Sequence, residues 1–248
     1  MKNKFKVVAM LLAAGVFATP SWAALSINFN GTNNGTTVTG GTTCVDNAAC
    51  DTNVTIGHID TTTTLGTLSI TSTGGNSGSP IGSLSIDLHG TPTATGTFTL
   101  AISDNGFTTP PPTNLILAAN VSGNSSPDVA GTTGVAGNVS GIGFISGGNL
   151  VFATNGTSTG TFGPTAFKAG AAAGQAGPIT TASPYSLTEF ITINITALAT
   201  TTDKAFQING NVSTVAAAIP EPASVSLLGG ALLFTVAAIR RRVKRTQA

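Results

Sequence analysis

The segment Leu84-Ser85-Ile86-Asp87-Leu88 alternates apolar and polar side chains at every residue. That period of two buries one face of a strand and wets the other, and no helix satisfies it. The same pattern recurs along the middle of the chain, in short runs rich in Val, Ile, Thr and Phe at 25–29, 53–59, 67–71, 83–88, 97–102, 114–121, 149–153, 187–196 and 204–212. Gly, Asn, Asp, Ser and Pro separate the runs, and no helical periodicity competes with them. Strands at this spacing predict an all-β fold, an antiparallel β-sandwich for which the jelly-roll and Ig-like arrangements both stay open. Thr-rich stretches at 36–43 and 61–64 suit exposed strand faces, and a solenoid would need a fixed repeat period that is absent.

Between the two apolar ends of the chain lie roughly 195 residues, enough for one domain with its own core. Nine Phe residues between Phe29 and Phe206 supply apolar mass. Disorder would call for lower hydrophobicity and higher net charge. Of the ten basic residues, only Lys168 and Lys204 fall in this middle part, against eight carboxylates, a net charge of −6 with no Arg. A mildly acidic domain of this kind has no electrostatic footprint for nucleic acid.

The first residues, Met1-Lys2-Asn3-Lys4-Phe5-Lys6, form a positive segment ahead of an apolar run at 7–18 and then Thr19-Pro20-Ser21-Trp22-Ala23. Small residues at Ser21 and Ala23 fit cleavage between Ala23 and Ala24, so 1–23 reads as a secretory signal peptide. At the far end, 223–239 carries no charge, near the lower length limit for a membrane-spanning helix. Arg240, Arg241, Arg242, Lys244 and Arg245 follow at once. Positive charge retained in the cytoplasm would leave 24–219 outside.

Just before that span stands Ile219-Pro220-Glu221-Pro222-Ala223-Ser224. Pro-Glu-Pro, then an apolar helix rich in Leu, Gly and Ala, then an Arg cluster resembles the PEP-CTERM sorting domain of Gram-negative bacteria that make extracellular polysaccharide. The resemblance covers 216–248, with the motif at Pro220, Glu221 and Pro222, the transmembrane helix at 223–239 and the basic tail at 240–245. It implies recognition by an exosortase, a membrane-embedded cysteine transpeptidase. It also implies transient anchoring in the inner membrane and delivery to the outer surface or extracellular matrix. The prolines favour an extended segment that a protease cleft can grip. Residues 183–193 are similar to a stretch near the end of some PEP-CTERM ectodomains. Read from the residues alone, that stretch is a loop feeding an amphipathic strand, with Leu187, Ile191, Ile193 and Ile195 on one face and Glu189 the sole charge there.

Cys44 and Cys50 are the only cysteines, six positions apart, and an exported chain is expected to join them in a disulfide. Two serine patterns invite a hydrolase reading and fall short of it. Gly156-Thr157-Ser158-Thr159-Gly160 matches G-x-S-x-G, yet Phe162-Gly163-Pro164 cannot open the helix that motif needs, and both histidines precede Ser158. Gly75-Asn76-Ser77-Gly78-Ser79-Pro80 resembles the serine loop of chymotrypsin-like proteases, but His58 lies only 19 positions before Ser77, so most of a first barrel is missing. His58 with Asp60, and Asp87 with His89, are i, i+2 pairs that would each share a strand face; were those strands neighbours, four ligands could meet at one metal. Polar strand faces explain the same residues, and neither a metal, a cofactor nor catalysis is expected.

The domains are therefore a signal peptide (1–23), an extracellular β-sandwich (24–215) and a sorting signal (216–248). The expected role is a structural or adhesive one at the cell surface or in an exopolysaccharide or biofilm matrix. A carbohydrate-binding sandwich is the alternative, weakened because removal of Trp22 with the signal peptide leaves only Tyr185 and Phe residues as aromatic platforms. A secreted hydrolase comes third.

Overall fold

The structure, a computed structural model, describes residues 25–217 apart from short stretches at 34–35, 39–42, 79–81, 109, 111–113, 127, 130–131, 134 and 199–203. The first part of the chain gives β1 (Ser26–Asn33), β2 (Thr36–Val38), β3 (Thr43–Val45), β4 (His58–Leu65), β5 (Leu68–Ser77), β6 (Ser83–Pro92), β7 (Gly96–Phe107) and β8 (Leu115–Ser126). The rest gives β9 (Asp128–Val129), β10 (Thr132–Thr133), β11 (Val135–Ser146), β12 (Thr157–Ser158), β13 (Phe162–Ala166), β14 (Ala171–Ile179), β15 (Tyr185–Leu198) and β16 (Ala205–Ala216). No helix occurs among the described residues.

Eight strands form one sheet in the order β12-β11-β15-β7-β1-β2, with β13 also on β11 and β3 also on β1. Six form the other, in the order β14-β8-β16-β6-β5-β4, and β9 and β10 make a separate ribbon. Neighbouring strands in both large sheets run antiparallel. Among the described residues the two sheets face each other across a buried cluster, so the all-β, antiparallel sandwich expected from the alternation is what they form.

Period-2 burial makes the core. In β6, Leu84, Ile86 and Leu88 are buried while Ser85 and Asp87 stay partly open. In β15, Leu187, Ile191, Ile193 and Ile195 point inward with Glu189 among them, and all five are at most 1% exposed. In β16, Phe206, Ile208 and Val212 do the same from the opposite sheet. Each such Ile, Leu or Phe contributes about 1.5–3 kcal/mol relative to exposure.

Several boundaries differ from the sequence expectation. The segment 53–59 is mostly loop, and its strand is His58–Leu65. Here the Asp51 carboxylate accepts from the backbone N–H of Asn47, Asn53 and Asp60, which holds the approach to β4 in a turn. Residues 149–153 are no strand, because Asn149 and Phe152 have φ of 52° and 55°. The chain instead places the Gly-rich β11 in the sheet, with Gly141 against the Phe162 ring, where a Cβ would come within 2.6 Å. That close approach is why a strand of poor intrinsic propensity is used. The strand after 183–184 begins at Tyr185, earlier than the loop reading implied.

The transmembrane helix expected at 223–239 lies outside the described residues, and among those described no helix is long and apolar enough to cross a membrane.

Candidate functional site

The inward alternation of the six-stranded sheet leaves its outward positions to polar side chains. Register sets them in two rows across the strands. The first runs Asn120 (β8), Asn211 (β16), Ser85 (β6), Asn76 (β5) and His58 (β4). Two residues further along, the second runs Ser122, Asn209, Asp87, Gly74 and Asp60 on the same strands. Neighbours within a row are about 4.8 Å apart and the rows about 7 Å apart. Between them lies a shallow recess of about 270 Å³ walled by Asn76, Ser85, Asp87, Asn120, Asn209 and Asn211. Ile86 and Gly210 also line it; their side positions point inward, so they offer backbone as a floor.

The recess walls are partly ordered by the protein and partly free. Asp87 Oδ1 accepts from Gln207 Nε2 at 3.0 Å, and Oδ2 lies 3.4 Å from His89 Nε2. Asn211 Nδ2 donates to the Leu84 carbonyl at 2.9 Å, and His58 Nδ1 pairs with Asn76 Oδ1. The side chains of Asn120 and Asn209, both exposed, have no hydrogen-bond partner among the described residues. An amide offers two donors and one acceptor oxygen. The recess thus presents amide, hydroxyl and carboxylate groups, with no Phe, Tyr or Trp at any outward strand position of the two rows.

The metal pairs fall on this face but not together. His58 and Asp60 lie on β4 and Asp87 and His89 on β6, with β5 between them and Gly74 opposite both Asp60 and Asp87. Two strand spacings, about 10 Å, separate the pairs. Among the described residues no group of three or more His, Cys, Asp or Glu could hold a metal ion.

The serine patterns resolve differently. Ser77 turns inward and its Oγ donates to Asp104 Oδ2, while His58 is engaged by Asn76. Ser158 ends the two-residue β12, paired with Phe144 of β11, with neither a preceding strand at 150–153 nor a following helix. Cys44 and Cys50 are joined, with Sγ atoms 2.09 Å apart, and the bridge pins β3 to the start of the 46–57 loop. Ala23, Ala24, Pro220, Glu221, Pro222, Arg240, Arg241, Arg242, Lys244 and Arg245 lie outside the described residues.

Two carboxyls sit inside the sandwich, on the core side of the sheets. Burial pushes Asp104 up to about 6, with Asp46 adding to the rise, while hydrogen bonds from Ser77 Oγ and the Asn105 N–H pull it down. Glu189 is held well above the usual carboxylate range by burial, and among the described residues neither of its oxygens has a hydrogen-bond partner. A Cβ on Gly210 would lie 3.0 Å from Glu189 Oε2, so this carboxyl sits directly beneath the recess floor, on the core side of the sheet.

The recess does not follow from the sequence alone. Its signal was present in the outward residues Gln207, Asn209, Asn211 and Ser213, amides and hydroxyls on one face of a strand, but no sequence pattern says that β8, β16, β6 and β5 are neighbours.

No protein-family model matches the chain, and none of the curated proteins compared with it does. One solved structure that resembles it comes from a study of specific mannan recognition by a carbohydrate-binding module. The two are 11% identical, the match covers 53% of this chain and 73% of the other, and the TM-score is 0.23. A likeness that loose says nothing of function.

Proposed function

We propose that this chain is an exported surface or matrix protein whose sandwich adheres to a hydroxyl-rich polysaccharide through the recess on the six-stranded sheet. One observation carries the reading: paired rows of amide and hydroxyl side chains wall an open recess, with Asn120 and Asn209 free to bind. Amide groups trade hydrogen bonds with vicinal hydroxyls in both directions, which is how polar sites fix sugars. The role is adhesive or structural and the chain is not a catalyst. Within this reading the sandwich is of jelly-roll type, since from β6 onward each long strand switches sheet.

Delivery rests on the ends of the chain. The signal peptide directs export, the span at 223–239 holds the protein briefly in the inner membrane, and an exosortase acts near Pro220, Glu221 and Pro222. The protein then reaches the outer surface or extracellular matrix of a Gram-negative cell. Support for this comes from the order of three independent features in the sequence. Pull-down of the host's own exopolysaccharide with the full chain tests adhesion, and no enrichment over a surface-matched control refutes it. Mass spectrometry of the mature protein tests delivery; a C-terminus intact through Ala248 refutes processing.

A further inference from the structure

We infer that the recess selects uncharged polysaccharide, laid across the strands, and rejects uronic-acid and sulfated polymers. The inference rests on the adhesive reading above and adds the chemical class of the ligand.

Charge decides the class. The outward positions of the two rows hold two carboxylates, Asp60 and Asp87, and neither Lys nor Arg. The lysines Lys168 and Lys204 stand in the turn before β14 and at the entry to β16, outside those rows. Neither histidine lines the recess: His58 pairs through Nδ1 with Asn76, and His89 Nε2 lies 3.4 Å from Asp87. A carboxylate or sulfate on a sugar in the recess would come within a few ångströms of Asp87. That is inside the screening length of about 8 Å at physiological ionic strength, so the repulsion is not screened away. Uncharged hydroxyls meet no such opposition.

Orientation follows from the register. Along the first row the chain meets Asn120, Asn211, Ser85 and Asn76 on four successive strands, one polar group every 4.8 Å or so. That pitch is close to the length of one pyranose ring, so an extended glycan crossing the strands presents hydroxyls to each group in turn. Along a strand the outward groups recur only every second residue. With no Phe, Tyr or Trp in the two rows to stack on, each sugar is held by hydrogen bonds, and a polymer engaging several strands binds where a monosaccharide does not.

The test is affinity electrophoresis of the full chain in native gels with EDTA, containing dextran, β-glucan, galactomannan or xylan on one side, and polygalacturonate or dextran sulfate on the other. Wild type is compared with the paired variant Asn120→Ala/Asn209→Ala, both exposed positions whose loss leaves the core intact. The readout is the retardation that the paired variant removes, so any pull on the basic tail cancels. At least a fivefold weaker apparent affinity of the variant for one or more uncharged polymers, with no such difference for the anionic ones, is expected. A variant-sensitive retardation by polygalacturonate or dextran sulfate equal to that by the uncharged polymers overturns the inference and leaves the recess as a glycan site. Absence of variant-sensitive retardation in every gel overturns the adhesive reading itself. A single charge reversal closes the argument: Asp87→Lys should bring polygalacturonate binding at least fivefold above wild type, and an unchanged value contradicts the role given to charge.

Discussion

Asp104 makes the sandwich less stable as pH rises from acid to neutral, and the size of the effect follows from its surroundings. The carboxyl is fully buried on β7 and accepts from Ser77 Oγ and from the Asn105 N–H at 2.7 Å. Those two bonds favour the ionised form, but the loss of water outweighs them, and the group rises from 3.8 to about 6 in the fold. In the unfolded chain it ionises near its ordinary value, so between about pH 4 and 6 the unfolded state has released a proton that the folded state keeps. Stability is then full below pH 4 and is lost as pH climbs to about 6. At 1.36 kcal/mol per pH unit, the loss is about 3 kcal/mol, a large share of the ~5–15 kcal/mol that holds a typical domain. Asp104→Asn keeps the shape and one acceptor oxygen and removes the titration. Urea unfolding of both proteins at pH 4, 5, 6 and 7 reads the effect. With a denaturant slope of about 2 kcal/mol per molar, the gap between the two midpoints should move by about 1.5 M across that range, the variant gaining as pH rises. Glu189 destabilises both proteins in the same direction and drops out of the difference. A gap that does not change with pH would refute the reasoning.

Other expectations follow from single contacts. Gly210→Ala drives a methyl into Ile191 and toward Glu189 and should lower stability by about 1–3 kcal/mol, read as a fall in the unfolding midpoint. Cys44→Ser with Cys50→Ser opens a ring closed across a sequence separation of 6 and should cost about 2 kcal/mol in the chain-entropy account; an equal loss on adding reductant to wild type would confirm the origin. Tyr185→Phe leaves Thr214 Oγ1 without the phenol 2.9 Å away, in a buried site that links the two sheets, and should cost about 1 kcal/mol by thermal unfolding. The paired substitution in the recess should leave the unfolding midpoint within about 0.5 kcal/mol of wild type, as surface changes do.

What could be read from the residues was the local rule, and what could not was the neighbourhood. Alternation in 83–88 and 187–196 marked β6 and β15 and set Ile86 and Ile193 inward, because period 2 is a property of one strand alone. β11 escaped that reading because Gly137, Gly141 and Gly143 break its alternation; their reason for being there is the Phe162 and Phe167 rings and the Ala119 and Val212 side chains, none of which is near in sequence. The same limit hid the recess. His58, Asp60, Asp87 and His89 were each visible as same-face pairs, and a metal site followed only if their strands touched. β5 stands between them, and Gly74 occupies the position where a bridging ligand would have been needed. The strand that separates the pairs also brings Asn76 beside Ser85, and β16 brings Asn209 and Asn211 to the other side. One fact of strand order thus removes the metal reading and builds the polar rows. Glu189 shows the converse case. As the sole charge on an otherwise apolar strand face it was legible in the sequence, and its burial in the fold follows from that face. Its place behind Gly210, under the floor of the recess, depends on how β15 packs against β16. Because Gly210 has no side chain, nothing but backbone lies between that carboxyl and the recess. A residue larger than glycine there would press on the core and the floor at once, so the position ties the stability of the sandwich to the shape of its binding face.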